Sequence, residues 1–324
     1  MKATRRIVAG MLAALTAAIS ACAPAPVQRG PGAFSFGLIG DLPYLPREEQ
    51  TLEDLLRAMD AQPLAFVVHD GDIKNGWSRC TDEVFRWNKR MFDSSRHPFI
   101  YVPGDNEWTD CHRGNNGGYD PRERLAKLRA VFYATDETLG ARRFTLTRQS
   151  ADPRYAEYRE NVRWTFGRVL FVGLNIPGSN NNFGRSPDAD TEYRARNAAN
   201  LEWMRQAFDI VKRDDLLGLV LVIQADPFFE QPRGHRSRRG FEDFLAQLET
   251  GTVSLGRPVM LVHGDTHQYR LDQPMRDARN GRAVENFTRL ETYGSPVLGW
   301  VRVTVDPADP KLFVVEPFPY VDRQ

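Results

Sequence analysis

Four short apolar segments of this 324-residue chain end in the dipeptide Gly-Asp, which occurs nowhere else in the sequence. Their aspartates are Asp41, Asp72, Asp105 and Asp265. Each segment is rich in β-branched and aromatic residues and bounded by turn residues, which is typical of a buried strand. Open α/β sheets place such strand-end residues at one edge, where four carboxylates repel one another unless a cation lies between them. The pattern therefore predicts a metal site, and turn chemistry alone is the alternative explanation.

Composition excludes several other classes of protein. A hydrophobic fraction of 41% and a charged fraction of 26% are those of an ordinary globular protein. The net charge of +1 creates no strong field that would draw in nucleic acid. The composition therefore gives no specific indication of a nucleic-acid partner.

The first residues have the pattern of a targeting segment, and we expect them to act as one. A basic start precedes an apolar stretch at residues 7–19, which is too short to span a bilayer. The segment Ile19-Ser20-Ala21-Cys22 resembles a bacterial lipobox, which predicts a signal peptide over residues 1–22 and lipidation of Cys22. Cleavage within Ala21-Cys22-Ala23 as an ordinary A-x-A site is the alternative. Residues 23–32 then serve as a tether, and the expected location is the periplasm or the cell surface, with the lipid as the only membrane attachment.

Two cysteines remain after Cys22, at Cys80 and Cys111. In an exported protein such a pair predicts a disulfide, although two buried free thiols are also possible. The chain-entropy model values the closed loop at roughly 3–4 kcal/mol. Because each cysteine follows a Gly-Asp strand, the bridge would join two loops at the same edge.

The elements alternate between strand and helix. Helices are predicted at 47–59, 82–92, 121–132, 191–212 and 241–248. Strands are predicted at 33–41, 65–72, 99–105, 169–175, 219–224, 300–305 and 312–317. Residues 133–165 are expected to form a long loop or an insertion. The order predicts a layered α/β protein with outer helices, in a single domain spanning 33–324.

These motifs resemble those of the calcineurin-like metallophosphoesterase family. That family reads Asp-x-His, Gly-Asp, Gly-Asn-His-Glu/Asp, a His before Pro, and Gly-His-x-His. The matching segments here are Asp41-Leu-Pro43, Gly71-Asp72, Gly104-Asp-Asn-Glu107, Gln224-Ala-Asp-Pro227 and Gly264-Asp-Thr-His267. The resemblance runs from about residue 35 to the end of the chain, and it implies an αββα sandwich of two sheets flanked by helices.

The resemblance also implies a set of metal ligands. They are Asp41, Asp72, Asp105, Asp226, Asp265 and His267, with Asp72 in the bridging position. Pro43 replaces a ligating histidine and cannot bind metal. The purple acid phosphatase branch uses a tyrosine ligand from a different motif, so the adjacent Tyr44 is not counted among the ligands. Since carboxylates replace imidazoles, the expected cofactor is one or two divalent ions of Mg²⁺, Mn²⁺ or Ca²⁺.

The implied activity is hydrolysis of a phosphate mono- or diester at a carboxylate-rich dinuclear site. Asp72 and Asn106 are the expected catalytic residues, and Asn106 stands where the family has a histidine. Asparagine donates a hydrogen bond but supplies no proton near neutral pH. Lys74 and Asn75 are candidates for binding a phosphorylated small molecule or lipid headgroup. The alternative is a weak or inactive protein of this fold that binds a cation or a phosphorylated ligand.

Overall fold

Short strands and amphipathic helices alternate along residues 30–321, the part of the chain that this computed structural model describes. The strands are β1 (Phe34–Ile39), β2 (Leu64–His69), β3 (Phe99–Tyr101), β4 (Thr147–Arg148), β5 (Val162–Phe166), β6 (Val169–Gly173), β7 (Gly218–Val222), β8 (Val259–His263), β9 (Arg270–Asp272), β10 (Phe287–Glu291), β11 (Gly299–Val305) and β12 (Phe313–Pro319). The helices are α1 (Pro46–Asp60), α2 (Asp82–Ser94), α3 (Pro121–Phe132), α4 (Gly178–Asn181), α5 (Pro187–Arg213) and α6 (Glu242–Leu255).

The strands form two sheets. The first has the order β12-β11-β1-β2-β3, and the second has the order β4-β5-β6-β7-β8-β10-β9. Strands β1, β2 and β3 are parallel to one another, as are β6, β7, β8 and β10. Because parallel strands end at the same edge of a sheet, loops that follow them are brought together there.

Both faces of the central strands are buried, and their side chains alternate between two cores. In β7, Val220 and Val222 face the space between the sheets, whereas Leu219 and Leu221 face the outer helices. Phe66 from the first sheet packs against Phe171 from the second, with ring centroids 5.0 Å apart. Helices α5 and α6 cover the outer face of the second sheet, and α1, α2 and α3 cover that of the first. This order of layers confirms the predicted αββα sandwich.

The helix boundaries follow local capping signals. Helix α3 coincides with the predicted 121–132, and the side chain of Asp120 caps it by accepting from the amide of Arg122. Helix α5 begins four residues before the predicted position, because Ser186 caps its first turn and Pro187 opens it. Between residues 30 and 321 no helix is both long enough and apolar enough to cross a bilayer.

Residues 133–165 differ from the sequence expectation of a loop or insertion. They contribute β4 and β5 to the edge of the second sheet, where β5 pairs antiparallel with β6. In β5, Val162 and Trp164 are buried, Arg163 is half-buried and Thr165 is exposed, so only four residues show the alternation of a strand. A pattern this short cannot be told apart from the surrounding polar sequence, which is why the strand was not predicted.

Candidate active site

The aspartates of the four Gly-Asp pairs lie just beyond the carboxyl ends of β1, β2, β3 and β8. Asp41, Asp72 and Asp265 have φ angles of 52°, 57° and 77°, and His267 has a φ of 63°. Residues other than glycine rarely adopt this left-handed conformation, and such strain concentrates at functional sites. Three of the four strand exits are therefore strained at their aspartates, as is the nearby His267.

Two of the motif glycines allow the motif loops to approach one another closely. A Cβ atom on Gly104 would lie 2.1 Å from Asp72 Oδ1, and one on Gly264 would lie 2.1 Å from Asp41 Oδ2. Any side chain at either position would therefore displace the carboxylate of another motif. Glycine lets each carboxylate lie directly against a neighbouring backbone segment.

The hydroxyl of Tyr44 lies at the centre of the cluster. Tyr44 Oη is 3.1 Å from Asp41 Oδ1, 3.2 Å from Asp72 Oδ2 and 3.2 Å from His267 Nε2. Burial, followed by the charges of Asp72 and Asp41, raises the pKa of Tyr44 well above its ordinary value, so the phenol keeps its proton. Sequence analysis did not count Tyr44 among the ligands, although its position next to Pro43 placed it beside the first motif.

Asn106 holds Asp72 from two sides. Its backbone amide donates to Asp72 Oδ1 at 3.1 Å, and its side-chain Nδ2 donates to Asp72 Oδ2 at 2.7 Å. The same Nδ2 lies 3.3 Å from Tyr44 Oη. Asn106 therefore belongs to the cluster, and its carboxamide is positioned by the residue that the motif places as the bridging ligand.

Glu107, to which sequence analysis gave no role, binds the backbone of the loops that carry Asp72 and Asn106. Its Oε1 accepts hydrogen bonds from the amides of Asp72, at 3.1 Å, and Gly104, at 2.6 Å. The hydroxyl of Tyr101 donates to the same oxygen at 2.6 Å. One buried carboxylate oxygen thus fixes the loops after β2 and β3 relative to each other.

Asp105 belongs to a second group of polar side chains. Ser179 Oγ lies 2.7 Å from Asp105 Oδ2 and 2.8 Å from Asp110 Oδ1. Arg113 forms an ion pair with Asp110 at 2.8 Å. Burial, followed by the charge of Asp105, raises the pKa of Asp110 to about 7. The strained turn α4, where Ser179 has a φ of 48°, thus delivers a hydroxyl to two carboxylates.

Asp265 and Asp226 are joined through the backbone. The amide of Asp265 donates to Asp41 Oδ2 at 3.0 Å, and the amide of Asp226 donates to Asp265 Oδ2 at 3.1 Å. The carboxylate of Asp226 accepts from the amide of Phe228 at 2.9 Å. Asp226 therefore uses one oxygen to close its own turn, whereas Asp265 uses its oxygen to tie two loops together.

The buried carboxylates of the cluster lie close to one another and raise each other's pKa. Burial raises the pKa of Asp41, Asp72 and Asp265 well above the ordinary range, and neighbouring carboxylates raise it further. Within residues 30–321 no group of three or more His, Cys, Asp and Glu side chains has the arrangement of a metal centre. The carboxylate oxygens of Asp41 and Asp72 instead accept hydrogen bonds from backbone amides and from Tyr44. The donor set of carboxylates and one imidazole nevertheless fits a divalent cation that prefers oxygen ligands.

Lys74 and Asn75 have structural partners that sequence analysis did not predict. Lys74 Nζ is buried and donates to the carbonyl oxygens of Asn75, at 2.7 Å, and Asn106, at 2.8 Å. The carboxamide of Asn75 donates to the carbonyl of Tyr44 and accepts from the amide of Trp77 at 3.0 Å. Their polar groups thus hold the loops of the site in place and do not point into the cleft as free phosphate-binding groups.

Cys80 and Cys111 form the predicted disulfide, which closes a sequence separation of 31 residues. Both residues are buried. Their Sγ atoms lie 3.4 Å and 3.7 Å from the carbonyl oxygen of Asn106. The bridge therefore joins the loops after β2 and β3 directly behind the site. Cys22 lies outside the described residues.

The cluster opens into a cleft of about 810 Å³. The polar part of its lining consists of Asp72, Asp105, Asn106, Asp110, Arg113, Ser179, Asn180, Ser237, Asp265 and His267. The apolar part includes Leu45, Trp77, Phe228 and Pro296. A cleft of this volume accommodates a small molecule with both a charged and an apolar portion.

Comparison with solved structures shows which fold this is. PhoD superposes with a TM-score of 0.56 at 15% identity, over 91% of this chain and 70% of the PhoD chain. The chain has the metallophosphoesterase fold. The 5'-nucleotidase of Candida albicans SC5314 is more distant, with a TM-score of 0.47 at 12% identity over 88% of this chain and 50% of its own. A phosphatase of Mycoplasma pneumoniae is also more distant, with a TM-score of 0.45 at 10% identity. That comparison covers 90% of this chain and 94% of the phosphatase chain.

Beyond the short motifs, sequence comparison finds no relative. No protein-family model matches the sequence, and no curated protein matches it. At identities this low, structural similarity establishes the fold, while activity has to be argued from the site.

Proposed function

We propose that this protein is a metal-dependent phosphoesterase that hydrolyses a phosphate mono- or diester in the cleft. The observation that carries the proposal is the convergence of Asp41, Asp72 and His267 on the hydroxyl of Tyr44 beside the cleft, with Asp265 joined to Asp41 through its backbone amide. Burial raises the pKa of the carboxyl groups of Asp41, Asp72 and Asp265, so a cation beside them would be needed to keep all three ionised near neutral pH. The phosphoesterase-like fold supports the same conclusion.

A divalent cation would be held by Asp41, Asp72, Asp105, Asp265 and His267, with Asp226 within reach of Asp265 through the backbone. When bound, such a cation supplies positive charge that polarises the phosphoryl group and activates water. Mg²⁺, Mn²⁺ and Ca²⁺ suit these donors, as one or two ions.

The chain's own residues position the ester. Asn106 lines the cleft and has an amide aimed at the cluster, so it donates a hydrogen bond to a phosphoryl oxygen once Asp72 is engaged elsewhere. Arg113 lines the same cleft and balances Asp110, which leaves its remaining guanidinium N–H groups for an anionic substrate. Tyr44 and Glu107 orient Asp72 and the loops around it.

One observation favours a second candidate, a protein of this fold that binds a phosphorylated ligand without turnover. The hydroxyl of Tyr44 occupies the point between Asp41, Asp72 and His267, and Asn106 stands where the family has a histidine. Such a site keeps affinity for a cation or phosphate, but the residue at position 106 cannot give a proton to the leaving group.

We also propose that the protein is exported and attached to a membrane by lipid at Cys22. The lipobox-like segment supports this proposal, and its residues lie outside the described part of the chain. A phosphorylated small molecule or lipid headgroup is the proposed substrate, and the near-neutral charge offers no support for a nucleic-acid partner.

The test is a hydrolysis panel run beside calorimetric titration with Mg²⁺, Mn²⁺, Ca²⁺ and Zn²⁺, using a phosphomonoester and a phosphodiester. We expect one of the oxygen-preferring ions to support hydrolysis and Asp72→Asn to lower kcat/KM about 100-fold or more. Asp209→Asn, an exposed position on α5, is the matched control. Asp105→Asn and Asp265→His should keep binding but shift preference towards Zn²⁺.

Three outcomes separate the candidates. Hydrolysis that Asp72→Asn removes and Asp209→Asn retains supports the phosphoesterase. Cation binding without hydrolysis of any ester supports the binding protein. Absence of binding by all four ions, with Asp72→Asn behaving like the unmodified protein, refutes both.

A further inference from the structure

Trp77 is exposed although its backbone is firmly anchored. Its side chain is 65% accessible, whereas Trp108, Trp164, Trp203 and Trp300 are buried. The amide of Trp77 donates to Asn75 Oδ1 at 3.0 Å, and the disulfide at Cys80 follows three residues later. A large aromatic face held in water by a rigid loop is the kind of surface that marks a binding site.

The loop that carries Gly76 and Trp77 lies at the edge of the site. Trp77 lines the cleft, and so does its neighbour Gly76. A Cβ atom on Gly76 would lie 2.9 Å from Asn106 Oδ1, so the backbone that carries the indole passes directly over the amide at the cluster. The aromatic face is therefore next to the place where a phosphoryl group would be held.

Phe228 adds a second aromatic side chain to the same cleft. It has a φ of 57°, a conformation that is strained for a bulky residue. The strain is held by the bond from its amide to Asp226 Oδ1 at 2.9 Å. Backbone strain at a residue that lines a cleft indicates that its orientation matters for what enters.

We propose that the cleft selects phosphoesters whose alcohol portion carries a planar aromatic group, which lies on the indole of Trp77. The proposal rests on the proposed function, because that places the phosphoryl group at Asn106. The anchored loop offers a fixed flat face, which matches a planar ring better than a flexible acyl chain. Ser237 also lines the cleft, and its hydroxyl offers a hydrogen bond to a heteroatom on such a ring.

The experiment compares three substrates that share a phosphate and a primary alcohol: benzyl phosphate, cyclohexylmethyl phosphate and ethyl phosphate. We expect kcat/KM for the benzyl ester to exceed that for the ethyl ester about tenfold, roughly 1.4 kcal/mol of binding free energy. The cyclohexylmethyl ester has a similar apolar bulk without a flat face, and we expect it to fall clearly below the benzyl ester.

Variants assign the preference to the indole. Trp77→Ala should bring the benzyl-to-ethyl ratio close to one, Trp77→Phe should keep most of the ratio, and Trp77→Leu should lose it. Leu271→Ala is the matched control, because Leu271 is an exposed apolar residue, 45% accessible, that does not line the cleft. It should leave the ratio unchanged.

A binding measurement separates this inference from the proposed function. Benzylphosphonate and ethylphosphonate are not hydrolysed, so their dissociation constants can be compared by calorimetry even if no ester is turned over. A benzyl preference that Trp77→Ala removes supports the aromatic subsite whether or not hydrolysis occurs. Hydrolysis with equal values for all three esters, or a ratio that Trp77→Ala leaves unchanged, overturns the subsite while leaving the phosphoesterase intact. Equal preference for the benzyl and cyclohexylmethyl esters overturns selection for a planar group.

Discussion

The Cys80–Cys111 disulfide connects two loops that both carry residues of the site, so its removal should affect stability and the site together. The perturbation is reduction of the bridge without any change of sequence. Both cysteines are buried, so the native protein should resist reductant. The protein is therefore unfolded in denaturant with reductant and refolded with the reductant present.

The expected loss follows from the length of the closed loop. A separation of 31 residues corresponds to about 4 kcal/mol on the chain-entropy model. For a domain of this size, each kcal/mol changes the Tm by about 2 °C, so we expect a fall of about 8 °C. The Sγ atoms lie 3.4 Å and 3.7 Å from the carbonyl oxygen of Asn106, so reduction should also loosen that residue.

The assay is thermal unfolding of the oxidised and reduced forms, with thiols counted in denaturant to show that two thiols per chain have appeared. The variant Cys80→Ala/Cys111→Ala is the control, because reductant should leave its Tm unchanged. A reduced protein that unfolds at the same temperature as the oxidised one would refute the reasoning.

Three further outcomes are expected. Tyr44→Phe removes a buried hydroxyl with four close partners and should cost about 1–3 kcal/mol of metal-free stability, measured by denaturant unfolding; an unchanged midpoint would contradict the central role of Tyr44. Burial lowers the pKa of His69 to about 3 in the folded chain, below the value of about 6.5 in the unfolded chain. The stability that neutral His69 contributes is therefore fully present above pH 6.5 and is lost as the pH falls from 6.5 towards 3. His69→Gln should therefore flatten the loss of stability on acidification, by up to about 1.4 kcal/mol per pH unit, and equal slopes would show that His69 does not titrate in this way. Cys22→Ser should release soluble protein from membranes, and an unlipidated natural chain beginning at or after Ala23 in mass spectrometry would refute the anchor.

Much of the fold was accessible from the sequence because its signals are local. Strand-like segments followed by Gly-Asp marked the exits of β1, β2, β3 and β8, and Asp120-Pro121 marked the start of α3. These signals depend on hydrophobic patterning, turn chemistry and capping, which act over a few residues. The pairing of Cys80 with Cys111 was also accessible, since they are the two cysteines that remain after Cys22.

The tertiary structure decided what lies between the converging aspartates. Tyr44 meets His267 across 223 residues of sequence, and no periodicity in the chain connects them. The sequence suggested Lys74 as a phosphate-binding residue. Its ammonium group is buried away from water and donates instead to the carbonyl oxygens of Asn75 and Asn106. Ser179 reaches Asp105 only through four consecutive residues in left-handed conformation, which polar loop composition does not specify. The sequence alone determined which carboxylates reach the edge, because strand exits are a local property; their hydrogen-bond partners depend on packing between distant loops, which only the folded chain establishes.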